Sequence, residues 1–332
     1  MEGQIYKIHS DFYYVQMDSQ SFECKIREVL KKQQIKIVTG DFVEFENGVI
    51  SKVLPRKTFI PRPAVANIDQ IVVVSALKHP DLDFLQLNRY ISLAKYYKIP
   101  IVLCFNKEDL GLEEKEQNKI FSIYEKLGYK VVFTSALEKI GIDDFQKLLE
   151  NKISALCGNS GVGKSSLINA LNPNVHLRTK EVSEKLNRGT HTTRHCEIIK
   201  ITDNTFIVDT PGFSNVRFDF LLPQDVSLLF DEISKYRQYC KYSDCLHINE
   251  DGCEVLKHIE EIDETRYKSY TEFVAEALEF KEHIKYNGKK KESAQKFKNN
   301  KQQAKISEKR RQASRNTQRQ KIYKEIDENE HE

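Results

Sequence analysis

One glycine-rich string constrains the fold of this 332-residue chain more than any other feature. Residues 158–165, GNSGVGKS, match the pattern G-x-x-x-x-G-K-[ST]; the apolar run KISALC precedes them and the run KSSLINALN continues from the lysine. A phosphate-binding loop requires this context, because a strand delivers the loop and a helix N-terminus faces the phosphates. The string therefore predicts a nucleotide-phosphate site between a strand and a helix.

The residues of this loop have separate expected roles. The glycines let backbone N–H groups converge on phosphate oxygens. We expect Lys164 to reach the β- and γ-phosphates and the Ser165 hydroxyl to bind Mg²⁺. The predicted phosphate-binding set is Gly158, Asn159, Ser160, Gly161, Val162, Gly163, Lys164, Ser165 and Ser166.

Alternating segment types surround the loop. Continuous β-branched runs, typical of buried parallel strands, alternate with segments that have helical spacing. The strand candidates are QIVVVSA, IPIVLCFN, YKVVFTSA and KISALCGNS, and the helix candidates are DFLQLNRYISLAKYY, EEKEQNKIFSIYEKLG and DDFQKLLEN. This alternation predicts a parallel sheet covered by helices, an α/β domain.

The N-terminal region has a different pattern. Five short runs, separated by turn residues and without a strong helix between them, predict a small all-β barrel. The runs are GQIYKIH, DFYYVQM, SFECKI, GDFVEFE and GVISKVL. An oligonucleotide-binding (OB) barrel is favoured over a barrel that only packs on its neighbour. The proline-punctuated stretch PRKTFIPRPA (55–64) predicts a linker after it.

A cysteine cluster lies in the mainly helical, polar region beyond Pro223. The segment CKYSDCLHINEDGC supplies Cys240, Cys245, His247 and Cys253 within 14 residues. Three thiolates and one imidazole complete a tetrahedral zinc site with no open position, which indicates a structural site. We favour these ligands over a set that includes His258, which falls in a helical stretch. Cys24, Cys104, Cys157 and Cys196 lie in or beside apolar strands and are expected in cores.

Charge is segregated along the chain. Residues 289–324 contain 14 Lys or Arg and two Glu, so this tail carries +12 whereas the remainder carries −9. The tail has little to bury and is expected to be a solvated arm or helix that contacts a polyanion. No apolar run approaches the ~20 residues of a membrane span, and no secretory signal is visible. A cytoplasmic monomer with no membrane partner is therefore expected.

A second motif set concerns the nucleotide base. In FNKED, Asp109 can accept hydrogen bonds from the ring N–H and the amino group of guanine, a donor pair that adenine lacks. Asn106 would meet the other edge of the base, and the stem of Lys107 would cover its face. In TSAL, which includes Ser135, the backbone N–H of Ala136 could bind the guanine carbonyl. N-K-x-D alone is weak, but both motifs together favour GTP over ATP.

The motifs together resemble those of the Ras-like GTPases, which also carry DTPG and a threonine switch. Their order differs, because residues 106–109 and 135–137 precede Gly158. Circular permutation accounts for this, since a sheet can be cut and rejoined where native termini lie close together. With a barrel before it and a Cys/His cluster after it, the chain resembles the bacterial small-ribosomal-subunit-dependent GTPases over about residues 1–285.

That resemblance implies a GTP hydrolase that acts as a late assembly factor of the small ribosomal subunit, binds its rRNA and is stimulated by it. The implied plan is an OB-like barrel (1–60), a permuted GTPase domain (65–220), a helical zinc-binding domain (221–287) and a basic low-complexity tail (288–332). The implied cofactors are one structural Zn²⁺, and Mg²⁺ with GTP. Three alternatives stay open: a GTP-gated RNA-binding module, a permuted GTPase of large-subunit assembly, and action on an RNA outside the ribosome.

The resemblance also assigns the segment NRGTHTTRH (187–195), which lies between the phosphate loop and DTPG. Similar proteins carry His-Thr-Thr there, so Thr192 is the expected Mg²⁺ ligand and Thr193 the alternative. In DTPG, Asp209 would hold Mg²⁺ through water, and the N–H of Gly212 would meet the γ-phosphate.

The position where Ras-like enzymes carry a water-orienting glutamine is Phe213. A phenyl ring cannot orient water, so His191 is the catalytic candidate within the chain and a ribosomal element is the external one. Together with Lys164 and Thr192, His191 completes the expected catalytic set.

Overall fold

The computed structural model describes residues 1–18, 20–32, 35–111, 113–175, 177, 196–210, 218, 220–287, 295–298 and 301–304. The chain divides into two compact units, residues 1–281 and residues 282–332. The first unit contains a barrel, an α/β domain and a helical domain, which confirms the predicted fold class.

The N-terminal barrel is closed and has five strands, as the alternating runs predicted. The strand order is β1-β2-β3-β5-β4, and β4 pairs with β1 to close the barrel, while β3 and β5 run parallel. Its interior is filled by apolar side chains such as Ile5, Val15 and Phe45. One short helix between β3 and β4 was not predicted. The elements are β1 (Glu2–His9), β2 (Phe12–Met17), β3 (Gln20–Ile26), α1 (Glu28–Lys32), β4 (Phe42–Glu46) and β5 (Val49–Val53).

The predicted linker contains a small hairpin, β6 (Phe59–Pro61) with β7 (Ala64–Ala66), whose strands are antiparallel. Val65 of β7 is fully buried and forms a parallel bridge with Thr39, next to the barrel strands. The proline-containing segment is therefore more than a linker, because its backbone forms strand pairs.

The α/β domain has six strands in the order β10-β9-β8-β11-β13-β12. All pairings are parallel except the one between β12 and β13. Successive residues of one strand point to opposite faces, so Val73 and Val74 belong to different apolar clusters, one on each side of the sheet. The elements are β8 (Gln70–Ala76), α2 (Phe84–Tyr96), β9 (Ile101–Asn106), a 3₁₀ turn (Glu108–Leu110), α3 (Glu114–Glu125), β10 (Lys130–Thr134), α4 (Ile142–Leu149), β11 (Ile153–Cys157), α5 (Lys164–Leu171), β12 (Glu197–Thr202) and β13 (Thr205–Asp209).

The barrel and the α/β domain share one continuous sheet of 11 strands. Strand β1 pairs with β12 at Lys7 and Glu197, whose side chains also form an ion pair of 3.0 Å. The Thr39 hydroxyl donates to the Cys196 carbonyl oxygen at 3.0 Å. The two domains are therefore joined by backbone pairing as well as by the linker.

The region after Pro223 is helical, as predicted. Its core is a separate apolar cluster that includes Phe230, Tyr270 and Phe273, all fully buried. Cys245 and Cys253 lie in this core, whereas the four other cysteines expected in cores are buried in the barrel and the α/β domain. The elements are 3₁₀ turns at Pro223–Leu229 and Ile259–Glu261, and helices α6 (Asp231–Arg237), α7 (Glu254–Lys257) and α8 (Glu264–Asn287).

The tail contains a two-stranded antiparallel hairpin, β14 (Gln295–Lys298) with β15 (Lys301–Ala304). Composition alone had favoured a solvated arm or helix here. Of the helices in the part of the chain that the structure describes, none is long and apolar enough to cross a membrane.

Candidate functional site

The nucleotide motifs lie at one edge of the α/β sheet, although they are far apart in sequence. Strands β9, β10, β11 and β13 end at Asn106, Thr134, Cys157 and Asp209. The register places Asn106 beside Thr134, and Asp209 beside Leu156 of β11. Because the carboxyl ends of parallel strands meet at one edge, these four strand ends lie on the same side of the domain, where ligands bind in sheets of this kind.

Two positions of the phosphate loop require glycine, because atoms of other segments lie too close to them for a side chain. Gly158 and Gly163 have φ angles of +143° and +96°, which side chains rarely adopt. A Cβ atom on Gly158 would lie 2.0 Å from the carbonyl oxygen of Val74, and one on Gly163 would lie 2.2 Å from the Asn106 side-chain nitrogen. The pattern of glycines therefore lets the loop pack directly on β8 and on the base-recognition motif.

Lys164 begins α5 and folds its ammonium group back onto the phosphate loop. Its Nζ atom donates to the carbonyl oxygens of Gly158 at 2.8 Å and Asn159 at 2.9 Å. Burial lowers the pKa of Lys164, and the nearby Cys157 and Asp209 act in the opposite direction. The lysine thus lies at the loop that would hold phosphate, with Ser165 and Ser166 beside it in the first turn of the helix.

Asp209 ends β13 on the same edge. Burial raises the pKa of its carboxyl group, and the positive charge of Lys164 partly offsets this effect. The following residue fixes the strand end, because the Thr210 hydroxyl donates to the carbonyl oxygen of Leu156 at 2.9 Å. A partly buried carboxylate near a lysine is suited to a site that receives a cation and phosphate together.

Asn106 connects three motifs. Its Nδ2 atom donates to the carbonyl oxygen of Val162 in the phosphate loop at 2.9 Å. Its Oδ1 atom accepts from the Thr134 hydroxyl and from the backbone N–H of Ala136, both at 3.2 Å. The structure thus uses the Ala136 N–H, which was predicted to meet the guanine carbonyl, to hold Asn106. Thr134, the first residue of TSAL, for which the sequence pattern predicted no role, belongs to this arrangement.

The remaining base-recognition residues are also at this edge. One carboxylate oxygen of Asp109 accepts from the Ser135 hydroxyl at 2.5 Å, and that hydroxyl accepts from the N–H of Glu138 at 3.0 Å. Lys107 has a left-handed backbone, with a φ angle of +66°, and its ammonium group donates to the His79 carbonyl. Burial lowers the pKa of Lys107.

Several predicted site residues lie outside the described residues. They are His191, Thr192, Thr193 and Gly212, together with Phe213. Their roles remain predictions.

The cysteine cluster forms a compact donor set. The ligand atoms of Cys240, Cys245, His247 and Cys253 all lie within 4.8 Å of one another. Nδ1 of His247 is 3.5 Å from Sγ of both Cys240 and Cys253, and those two sulfurs are 3.9 Å apart. Tetrahedral zinc, with bonds of about 2.3 Å to sulfur and about 2.0 Å to nitrogen, requires separations of roughly 3.8 Å and 3.5 Å. The four residues therefore fit one metal ion.

The surrounding backbone holds these ligands in place. The Glu250 carboxylate accepts from the N–H groups of Leu246, Ile248 and Asn249 at 2.7, 2.9 and 3.1 Å. The Tyr267 hydroxyl donates to the carbonyl oxygen of His247 at 2.8 Å. Such outer hydrogen bonds orient metal ligands.

The protonation preferences of the cluster also suit a cation. Burial lowers the pKa of His247, which favours the neutral imidazole that binds metals. Burial raises the pKa of the Cys245 thiol to about 12, so its thiolate needs a positive charge nearby. His258 lies apart from the set: it stacks on Tyr236 with ring centroids 4.2 Å apart and contacts Glu261.

Comparison with family models gives three matches. A model described as the RsgA GTPase matches residues 53–219, and one described as the RsgA N-terminal domain matches residues 2–50. A model described as a 50S ribosome-binding GTPase matches residues 153–290. The first two matches together cover the barrel and the α/β domain.

Curated relatives are similar over most of the chain. The small ribosomal subunit biogenesis GTPase RsgA of Agathobacter rectalis is 40% identical over 290 residues, which is 81% of this chain and 96% of the relative. The protein of the same name from Carboxydothermus hydrogenoformans is 42% identical over 284 residues, 83% of this chain and 97% of the relative.

Solved structures agree. YjeQ from Thermotoga maritima superposes with a TM-score of 0.73 at 33% identity, covering 83% of this chain and 98% of that one. YloQ, described as a circularly permuted GTPase, gives a TM-score of 0.69 at 30% identity, covering 84% of this chain and 95% of that one.

Proposed function

This chain belongs to the RsgA GTPase family, and from that premise we propose that it hydrolyses GTP to GDP and phosphate during biogenesis of the small ribosomal subunit. The observation that carries the proposal is the position of Asn106, which joins the phosphate loop to both parts of the base-recognition motif. A GTP site needs its base-recognition residues and its phosphate loop to be held in a fixed position relative to each other.

Guanine is selected by a carboxylate in this proposal. Asp109 accepts from the ring N–H and the exocyclic amino group, while Asn106 meets the other edge of the base and Lys107 covers its face. Ser135 holds the Asp109 carboxylate at 2.5 Å and thereby orients it. A base without the donor pair leaves this carboxylate unpaired, which is the source of strong discrimination.

The phosphates are held by the loop and its lysine. Backbone N–H groups of residues 158–166 face the phosphate oxygens, and Lys164 turns from its two carbonyl partners toward the β- and γ-phosphates. Ser165, Asp209 and Thr192, or Thr193 in its place, are the proposed Mg²⁺ set, with Asp209 acting through water. Mg²⁺ supplies positive charge at the phosphate oxygens when bound.

Water is oriented by a group other than the usual glutamine, because residue 213 is phenylalanine. We assign this role to His191, and the ribosomal subunit is the alternative source. In this proposal the backbone N–H of Gly212 donates a hydrogen bond to the γ-phosphate. Slow intrinsic turnover that the subunit accelerates follows from this arrangement.

Cys240, Cys245, His247 and Cys253 are proposed to hold one structural zinc ion. The fit of their separations to tetrahedral coordination supports this assignment. Four protein ligands leave no position for substrate, so the ion would stabilise the C-terminal domain.

The proposed domain plan is a barrel over 1–60, the permuted GTPase domain over 65–220, the zinc-binding domain over 221–287 and the basic tail over 288–332. The proposed partner is small-subunit rRNA, bound by a monomer of this chain. With that partner, the proposed site of action is the cytoplasm.

The test is GTP turnover assayed with purified small subunits, with large subunits and with neither. We expect stimulation by small subunits alone. Equal stimulation by both, or stimulation by large subunits only, would overturn the small-subunit assignment, and absence of GTP hydrolysis under all three conditions would overturn the enzymatic one.

A further inference from the structure

Three consecutive buried polar residues on α2 connect the phosphate loop to the C-terminal domain. Asn88, Arg89 and Tyr90 are 0%, 8% and 2% exposed. Polar side chains are rarely buried in a helix unless each has a partner, since an unsatisfied polar group is costly. Helix α2 follows β8 directly, so its position is fixed on one side by the sheet.

Tyr90 reaches the phosphate loop. Its hydroxyl donates to the side-chain oxygen of Asn159 at 3.0 Å. The backbone carbonyl of the same Asn159 accepts from the ammonium group of Lys164 at 2.9 Å. Burial raises the pKa of the Tyr90 phenol, so the hydroxyl remains a protonated donor. Tyr90 therefore holds Asn159, whose backbone carbonyl oxygen accepts a hydrogen bond from Lys164.

Asn88 ties α2 to α8. Its Nδ2 atom donates to the Ser269 hydroxyl at 2.8 Å, and its Oδ1 atom accepts from Arg266 at 3.0 Å. The fully buried Arg266 also donates to both carboxylate oxygens of Glu232, at 2.7 and 3.2 Å. The ion pair of Arg266 with Glu232 is strong and has a defined geometry, because a guanidinium binds a carboxylate with two parallel hydrogen bonds.

Arg89 makes a second link between the same helices. Its guanidinium donates to both carboxylate oxygens of Glu276 on α8, at 2.7 and 2.6 Å. Glu276 also accepts from the backbone N–H of Phe218 at 3.3 Å, and Phe218 is fully buried against Phe273. The angle of α2 about its axis is therefore set from the C-terminal domain.

We propose that Tyr90 is a positioning residue of the nucleotide site, fixing Asn159 and through it Lys164, and that α8 sets the orientation of Tyr90 through Arg89. The inference rests on the proposed GTP hydrolysis, and it adds a role for a residue outside all the nucleotide motifs. Tyr90 acts before phosphate binds, by keeping the loop in the shape that receives it.

The first experiment is a double-mutant cycle. Tyr90→Phe keeps the ring and removes only the hydroxyl, so we expect kcat for GTP to fall by roughly tenfold, the effect of losing one part-buried hydrogen bond. The melting temperature should change little, because the packed ring remains, whereas the affinity for GDP should fall together with kcat, because the loop is no longer held in the shape that receives phosphate. In the background of Asn159→Ala the same substitution should have no further effect on kcat.

The second experiment tests α8. Glu276→Gln retains the shape of the side chain and weakens its contact with Arg89, so kcat should fall by about threefold. Glu272→Gln, an exposed position one turn earlier on the same helix, is the matched control and should leave kcat unchanged.

An equal decrease of kcat from Tyr90→Phe with and without Asn159 would overturn the role of Tyr90. If Glu276→Gln and Glu272→Gln have the same kcat, the proposed role of α8 is wrong. A wild-type chain that does not hydrolyse GTP contradicts the proposed function instead. In that case the affinity for GDP, measured through the same cycle by fluorescence titration, decides whether Tyr90 positions the loop: a decrease from Tyr90→Phe that is absent in the Asn159→Ala background supports this role, and an equal decrease in both backgrounds overturns it.

Discussion

Asn106 shows how single residues connect the parts of the site. Its side chain makes three hydrogen bonds, one to the phosphate loop and two toward the end of β10. Gly163 lies against it so closely that a methyl group would collide with its amide nitrogen. A glycine and an asparagine 57 positions apart are thus parts of one contact.

The first prediction concerns the base. Asp109→Asn replaces two acceptors by an amide, so affinity for guanine nucleotides should fall by roughly 10²-fold or more, because charge-assisted hydrogen bonds are removed. Xanthine nucleotides, whose carbonyl replaces the amino group, should bind better than before. Competition binding with GDP and XDP measures both effects. Glu108→Gln is the adjacent control, and unchanged guanine selectivity in Asp109→Asn would refute the assignment.

The second prediction concerns catalysis. His191→Ala should lower subunit-stimulated turnover by roughly 10²-fold or more, the contribution of a positioned catalytic group. GTP affinity should change little, because the imidazole is assigned to water and not to the nucleotide. His195→Ala, in the same segment, is the control for a general disturbance. If stimulation persists in His191→Ala, the ribosomal subunit supplies the catalytic group.

At the scale of elements, the loop between α6 and α7 depends on its ligands. Residues 238–253 contain no regular helix or strand, and the Glu250 carboxylate organises the turn by accepting three backbone hydrogen bonds. Three of the four metal-ligand side chains are buried with their polar atoms facing one another. Without a cation, this loop has few other reasons to keep its shape.

The third prediction follows from that dependence. Cys245→Ser should abolish binding of one zinc per chain and increase hydrogen exchange of backbone amides in residues 240–253. Metal analysis and hydrogen-exchange mass spectrometry are the measurements. His258→Ala, close to the site but outside the ligand set, should retain the metal. A wild-type domain that is folded and free of metal would contradict the proposed site.

At the scale of the whole molecule, charge is distributed unevenly. The barrel and the α/β domain share one sheet, and residues 1–281 form one compact unit. The other unit contains residues 289–324, which carry +12. Irregular Lys and Arg spacing suits contact with phosphates more than recognition of bases.

The fourth prediction concerns this tail. Truncation after Asn287 should weaken binding to the small subunit and reduce the magnitude of the log–log salt slope by roughly 0.7 to 0.9 for each phosphate that the tail would otherwise neutralise. GDP affinity should be unchanged. The slope is obtained from binding measured over a series of salt concentrations. A truncated chain with the full-length affinity and slope would show that the tail makes no phosphate contacts.

The sequence by itself determined the local features of this protein. The five barrel strands, the alternating strands and helices and the four-ligand cluster follow from periodicity and spacing within short windows. The permuted order of the GTPase motifs is itself a sequence fact. These features were predictable because neighbouring residues decide them: side-chain alternation, helix-terminus chemistry and the spacing of ligands.

Tertiary structure decided which distant residues meet. Three contacts join positions that are far apart in the sequence. They are the pairing of β1 with β12 across 190 residues, the hydrogen bond from Tyr90 to Asn159 across 69 residues, and the buried contact of Asn88 with Arg266 across 178 residues. In the sequence, Tyr90 is one aromatic residue on an amphipathic helix, and nothing in its neighbourhood distinguishes it. Its role depends on the orientation of α2 between the sheet and α8, which only the packing of the whole chain fixes.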